Sequence, residues 1–376
     1  MLEFENNWVL FIFVVLVLTT LVQAFYYLGF FSRLSFYKPK NTNNTHTLEP
    51  VTVIIAARNE YGNLEKNLKF ILEQDYPNFE VIVVNDCSWD DSQKLLEYYQ
   101  EQYFHLKICE IKEQEKYPTG KKFALTLGIK AAQNSHLFFT DADCVPASNQ
   151  WLRLMQSQFT PNKEIVLGYS PYKKYSTFLN LFIRYESCFT AMAYFSAAIG
   201  KNAFMGVGRN LAYTRELFFK HKGFAKHQHI LSGDDDLQVN QTATFNNVSI
   251  QLDPQSFMLT EPKKNYEEWQ RQKTRHNSTG KYYQLKHQVL LGAYYLSQLL
   301  FYSCLILLIV FMFNWQVLLG IYLFRFLVQN VIMYGVLKKL QGLQLMWFLF
   351  ILDFFYLIYI FIFGTVGLFT KQKKIW

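Results

Sequence analysis

Two aspartates one residue apart, Asp141 and Asp143, follow the apolar run Leu137-Phe138-Phe139 in HLFFTDADCVP (residues 136–146). Carboxylates at the end of a buried strand cost free energy unless something positive meets them there. A metal, a lysine or water at a loop tip would each serve. Four other stretches carry related chemistry. Asp86 closes FEVIVVND (79–86) and would suit a nucleotide contact. Gly120-Lys121-Lys122 puts two ammonium groups at the start of a helix, where the dipole disfavours cations and an anionic diphosphate would favour them. Ser232-Gly233-Asp234-Asp235-Asp236-Leu237 holds three acids in a row; beside a pocket, one would have a raised pKa and take a proton from a hydroxyl. Gln272 and Arg275 in QKTRH (272–276) would share a helix face that reaches an acceptor and a leaving diphosphate.

Each stretch also has a plainer reading. Asp141 and Asp143 would suit a solvated loop, or one of them an N-cap for a helix near 148–158. Asp86 lies in Asn85-Asp86-Cys87-Ser88, which is good turn chemistry. The lysines would fit a solvated helix start. The acid run would fit a solvated first turn of a helix through Leu237, Val239 and Asn240. QKTRH would fit a basic face against anionic lipid, with His276 a bystander. Taken singly, none of these stretches decides between its two readings.

The elements that must position these residues alternate in type. VTVIIAA (51–57) is a continuous β-branched run that reads as a buried parallel strand, and FEVIVVND, LKICEI (106–111) and HLFFT (136–140) read likewise. Between them, 62–74, 89–102 and 121–133 have helical spacing. Four strands alternating with three helices predict an α/β fold with a doubly wound, mostly parallel sheet. Ligands bind such sheets beyond the carboxyl ends of the strands. Three strand ends there are polar or acidic: Arg58-Asn59-Glu60, Asp86, and Asp141 with Asp143. No GxGxxG follows the first strand and no GxxxxGK[ST] occurs, which disfavours a dinucleotide fold and a P-loop. A nucleotide would bind instead through its base, its ribose and a metal-bridged diphosphate.

The flanks are apolar. The chain has 376 residues, 51% hydrophobic, with net charge +8. Residues 8–31 carry no charge and at about 1.5 Å per residue would cross a bilayer core of about 30 Å. The preceding acids Glu3 and Glu5 and the length of the run disfavour a cleaved signal peptide. Three further runs lie near 290–313, 317–337 and 343–369, with Arg325 and Asp353 inside two of them. Those charges face neighbouring helices in the plain reading and line a substrate path in the other. The chain thus divides into a span at 8–31, a domain at 40–288 and a membrane region at 290–369. Arg33, Lys38 and Lys40, with Lys338 and Lys339, place the domain on the cytoplasmic side. A fourth span would put Lys371, Lys373 and Lys374 outside, against that rule. Residues 176–199 read as a core helix or as one lying in the interface. The five cysteines form no CxxC, which argues against zinc and for free thiols in a reducing compartment.

VTVIIAARNE, VVNDCSWDD, GKKFALTLG, TDADCVP, GVGRNLAYTRELF, SGDDDL and QKTRH occur in that order. This set resembles the membrane-bound family 2 glycosyltransferases, the group with cellulose, chitin, hyaluronan and poly-N-acetylglucosamine synthases and ceramide glucosyltransferase. The likeness covers about residues 50–280. It implies a GT-A fold, a nucleotide-sugar donor, usually UDP-linked, and inversion at the anomeric carbon. By motif match the donor site would include Ala56, Arg58, Glu60, Asp86, Lys121 and Asp141, with Mg²⁺ or Mn²⁺ on Asp141 and Asp143. Gly206, Gly208, Arg209 and Asn210 would line the acceptor side, and Asp235, Asp236, Gln272 and Arg275 the acceptor or diphosphate side. Asp234 would be the general base, although Gly233 stands where the family has Glu, which leaves Asp235 and Asp236 as rivals. His276 replaces the tryptophan that stacks on a growing polymer, which favours one sugar added to a lipid over processive synthesis. The implied partners are the donor, a lipid or glycan acceptor, the membrane and accessory subunits, with no nucleic acid. A sugar-nucleotide-binding membrane subunit without catalysis is the alternative of another class, and the intact acids argue against it.

Overall fold

The computed structural model describes residues 7–39, 48–112 and 120–369. Lys40, Lys371, Lys373, Lys374, Glu3 and Glu5 lie outside the described residues. In chain order the elements are α1 (Asn7–Phe25), α2 (Ser32–Ser35), β1 (Val51–Ala57), α3 (Tyr61–Leu72), β2 (Phe79–Asp86), α4 (Ser92–Gln102), β3 (Leu106–Ile111) and α5 (Lys121–Ala131). Then come β4 (His136–Asp141), β5 (Cys144–Pro146), α6 (Trp151–Gln156), β6 (Ile165–Leu167), α7 (Phe178–Ile199), β7 (Leu211–Thr214), α8 (Arg215–Lys220) and α9 (Asp236–Thr242). The chain ends with β8 (Val248–Ile250), β9 (Met258–Thr260), α10 (Tyr266–Asn277), α11 (Leu285–Val310), α12 (Trp315–Lys339) and α13 (Leu349–Phe369).

Seven strands form one sheet in the order β3-β2-β1-β4-β7-β6-β8. The first four are parallel, as their unbroken apolar runs predict, and β7 and β6 pair antiparallel beyond them. Both faces of the sheet are covered. Val51, Val53 and Ile55 of β1 pack with Leu64, Leu68, Ile71 and Leu96 from α3 and α4. Ile54, Ile82 and Val84 pack on the other face with Ala124, Leu125 and Ile129 of α5. That alternation buries nearly every side chain of β1, β2 and β4, so their runs read apolar, whereas the edge strand β3 is only half-buried and carries Lys107 and Glu110. The three helices expected at 62–74, 89–102 and 121–133 are present and slightly shorter. Asp90 and Asp91 precede α4 rather than filling its first turn, and Asp90 Oδ1 accepts the Ser92 N–H at 3.1 Å.

The second face of the sheet continues into the apolar flanks. Helix α7 has most of its length buried, and its Phe189 and Tyr194 share one cluster with Tyr27, Phe31, Leu337 and Tyr356. Residues 176–199 are therefore core, a platform between the sheet and the long helices. Four helices are long and apolar enough to cross a membrane: 7–35, 285–310, 315–339 and 343–363. Arg325 and Asp353 pair at 3.0 Å, both almost fully buried. Asp353 also accepts from Tyr302 at 2.6 Å, Gln329 at 2.9 Å and Gln298 at 3.1 Å, and Arg325 donates to Gln23 at 3.2 Å. The two charges thus face neighbouring helices, and the network ties all four together.

Candidate active site

The parallel register brings the predicted strand ends side by side. Ala57 pairs with Asn85, next to Asp86, and Ala56 pairs with Asp141. Beyond these ends the two loops after β1 and β2 are stitched together. Asn59 N–H donates to Ser88 Oγ at 2.9 Å, and Trp89 N–H donates to Asn59 Oδ1 at 3.0 Å. Arg58 lies 5.7 Å over the Trp89 ring. Asp86 is fully buried; its Oδ2 accepts from Gly120 N at 3.2 Å, and its Oδ1 has no partner among the described residues. Gly120 adopts φ +143°, a conformation that L side chains rarely take, so the approach of its amide to Asp86 calls for glycine.

One lysine gathers the acids. Lys121 Nζ lies 2.8 Å from Asp141 Oδ1 and 3.2 Å from Asp234 Oδ2. Burial opposes its charge, but Asp141, Asp234 and Asp235 outweigh burial and hold the ammonium well protonated. Burial alone would raise Asp234 as well, yet Lys121 overrides it and keeps that carboxyl below the usual range. Asp235 lacks such a partner. Burial, then the charges of Asp234 and Asp236, push it up to about 7. Its Oδ2 accepts from Gly208 N at 2.7 Å and its Oδ1 from Asp236 N at 2.7 Å. Asp236 turns away and is buried, accepting from Thr279 at 2.5 Å and Tyr283 at 2.8 Å. A shallow cleft is lined by Lys121, Thr140, Asp141, Gly208, Asp234 and Asp235.

Strand β5 pairs with β9, Cys144 against Thr260, and this pins the TDADCVP turn. Asp141, Asp143 and Cys144 place ligand atoms within 4.8 Å of one another. Burial, then the Asp141 charge, raise Asp143, with Arg209 working against them. Burial also pushes the Cys144 thiol up, and it donates to Asp143 Oδ1 at 3.2 Å. Two hard carboxylates side by side fit a divalent cation such as Mg²⁺ or Mn²⁺ held through oxygen. Glu60 joins this edge; burial raises its pKa first, and Asp143 and Asp141 add to that.

The remaining predicted residues separate. Arg209 lies 4.5 Å over the Tyr172 ring and near Asp143. Gly206 is packed so that a Cβ would meet Leu167 and Leu211 at 3.0 Å. Asn210, expected on the acceptor side, has its side chain engaged within the scaffold. Its Oδ1 accepts from Trp151 Nε1 at 2.9 Å, and its Nδ2 donates to Tyr169 O at 2.8 Å and Ser256 O at 2.9 Å. It is fully buried and fully used as a scaffold. Gln272 is half-buried and Arg275 exposed, and among the described residues neither bonds to the clustered acids. Gly233 sits at φ +94°, and a Cβ there would meet Leu237 at 2.5 Å, so this backbone excludes the family's Glu. Sequence reasoning missed Thr279 and Tyr283, and it offered Lys122 to a diphosphate or to solvent rather than to the main-chain carbonyls it meets, because these partners are distant in the chain and leave no local pattern.

Comparison with known proteins agrees with this architecture. Residues 52–221 match the domain family described as Glycosyl transferase family 2. Over 110 residues the chain is 36% identical to glycosyltransferase AglE of Haloferax volcanii, covering 29% of this chain and 34% of that protein. Over 254 residues it is 26% identical to the probable glycosyltransferase YdaM of Bacillus subtilis, covering 66% of this chain and 59% of that protein. The chain thus spans about a third of the first relative's length and under two thirds of the second's. Among solved structures, mannosyltransferase PcManGT from Pyrobaculum calidifontis, in complex with GDP-Man and Mn²⁺, aligns with TM-score 0.58 and 18% identity over 88% of this chain and 99% of that one. That likeness shows a shared fold.

Proposed function

We propose that this chain, whose residues 52–221 match a family 2 glycosyltransferase domain, transfers one sugar, with inversion, from a nucleotide-sugar to a membrane-associated acceptor such as a lipid. The observation that carries this reading is the meeting of Asp86, Asp141, Asp143, Lys121, Asp234 and Asp235 at one sheet edge. Asp86 Oδ1, buried and unpartnered, has room to accept from a base N–H or a ribose hydroxyl. Asp141 and Asp143 would hold Mg²⁺ or Mn²⁺, which when bound stabilises negative charge on a departing diphosphate. Lys121 adds positive charge on the same side, as Arg275 would if α10 shifts toward the donor. Arg58, Ala56 and Glu60 border the donor, and Gly206, Gly208, Arg209 and Asp236 support the acceptor side.

The three consecutive acids divide the work. Asp234 is committed to Lys121 and Asp236 to Thr279 and Tyr283. Asp235 borders the cleft with a pKa of about 7, matched to proton abstraction near neutrality. The base role therefore falls to Asp235 rather than to Asp234, with Asp234 orienting Lys121. The acceptor oxygen attacks the anomeric carbon from the face opposite the phosphate. Its proton passes to Asp235, the sugar–phosphate C–O bond breaks, and the electron pair leaves with the nucleotide. The four apolar helices would anchor the domain at the cytoplasmic face, where Arg33 and Lys338 lie at helix ends.

The test is nucleotide release by the full chain in detergent with a panel of UDP-sugars and GDP-mannose, the latter included because PcManGT holds it. Metal-dependent release that D141N and D143N abolish, with a single-sugar product, supports the reading. Release by neither donor class, or release untouched by both substitutions, refutes it; a polymeric product would replace single transfer by processive synthesis.

A further inference from the structure

Lys121 and Lys122 are neighbours on the first turn of α5, yet they diverge. Lys121 meets the acids of the cleft. Lys122 is buried and makes no ion pair among the described residues. Its ammonium donates instead to three main-chain carbonyls: His227 O at 2.7 Å, Ile230 O at 2.9 Å and Ser232 O at 2.7 Å. An ammonium has three N–H donors, so all are used. The three carbonyls belong to one segment, which leaves the short turn Ala225–His227 and runs to Gly233, where φ of +94° swings the chain into Asp234 and Asp235. The segment has other ties as well: Ile230 N–H donates to His227 O at 3.1 Å, and the His227 and His229 rings meet Phe224 and Tyr282. His227 Nδ1 lies 3.3 Å from Gln241 Oε1, and the side chains of His227 and Ile230 are buried.

We propose that Lys122 is a positioning residue for sugar transfer: it gathers residues 227–232 onto the start of α5 and so sets Asp234 and Asp235 against Lys121 and Asp141. The proposal rests on the catalytic reading above. Two adjacent residues of one helix turn then carry both halves of the site, because Lys121 reaches the carboxylates directly and Lys122 holds the strand of chain that delivers two of them. A single buried cation replaces the carbonyl partners that regular structure would have supplied. The charged groups around it are Asp234, Asp235 and Asp236, which favour its ammonium form, with His227 and Lys121 nearby. Burial prevails over the acids and lowers Lys122 to about 8, still charged near neutrality. Loss of the ammonium would leave Ile230 O and Ser232 O without that donor and His227 O with only the Ile230 N–H, and the segment would open to water rather than keep them buried.

The test compares Lys122→Arg, Lys122→Gln and Lys122→Met in the full chain, with donor KM, kcat and trypsin cleavage after the exposed Lys226 as readouts. Positioning predicts kcat in the order wild type, K122R, K122Q, K122M, with K122M down on the order of 30-fold or more. Donor KM should stay within about threefold, since the donor groups are untouched. Cleavage after Lys226 should quicken in the same order. If K122M does not fold, the K122R and K122Q pair decides. Equal kcat in K122Q and wild type, or a loss seen in donor KM rather than kcat, overturns the proposal. If the wild type itself transfers and hydrolyses nothing, the catalytic reading has failed, and unchanged cleavage in K122Q would overturn the anchoring independently.

Discussion

Replacing Asp235 by asparagine should remove activity while making the protein more resistant to unfolding in mild alkali. The carboxyl is raised from the ordinary 3.8 to about 7. Between those values the folded chain keeps a proton that the unfolded chain has lost. Asp235 therefore favours folding below about pH 4, and that contribution is lost as pH rises through 7. The gap corresponds to roughly 4 kcal/mol of destabilisation when the group is fully ionised. Asparagine escapes this cost but has one carbonyl oxygen for the two amides, Gly208 N and Asp236 N, that Asp235 now serves. Losing one partner costs about 1–3 kcal/mol. The net expectation for D235N at pH 8 is a gain of about 1–3 kcal/mol, falling to none or a loss at pH 4. Transfer should drop about 10²- to 10⁴-fold, the usual contribution of a general base. The assays are the apparent Tm in detergent at a fixed scan rate at both pH values, and nucleotide release at saturating donor and acceptor. A variant keeping more than a tenth of wild-type transfer, or equally destabilised at both pH values, would refute the assignment of Asp235 as a raised, buried base.

Asn210→Ala should lower stability by about 2–4 kcal/mol through three lost buried hydrogen bonds, and the folded fraction should keep its donor KM, as titrated by denaturation and kinetics side by side. Asp353→Asn should destabilise the long-helix bundle by about 3–5 kcal/mol by stranding Arg325, and the paired change R325M/D353L should recover much of that loss, read as detergent-resistant folded protein.

The parallel half of the sheet was legible because its strands are covered on both faces, so β-branched apolar runs of six to eight residues bounded by polar ends mark them directly. The same fact made the donor edge legible: Asp86 and Asp141 close their strands, and parallel register carries them to one edge. The short strands β6, β7 and β8, of three or four residues each, carry too little pattern to be read. The bonds of Asn210 were not legible for a related reason. A buried amide at 0% exposure and one facing a ligand share the same residue type and neighbours in sequence; only its bonds to Trp151, Tyr169 and Ser256 tell them apart.

What the order of residues determined alone was the resemblance to a family, the alternation of strand and helix, the apolar helices and the set of acids available for chemistry. Those properties are local, written in periodicity and in side-chain type within a few residues. Tertiary structure decided which partners each of three adjacent aspartates takes, what holds the chain that carries them, and where Arg325 finds its counter-charge. Each of these depends on which distant group takes up the last lone pair or donor, and that is set by packing across more than a hundred residues for Lys122 and about three hundred for Gln23.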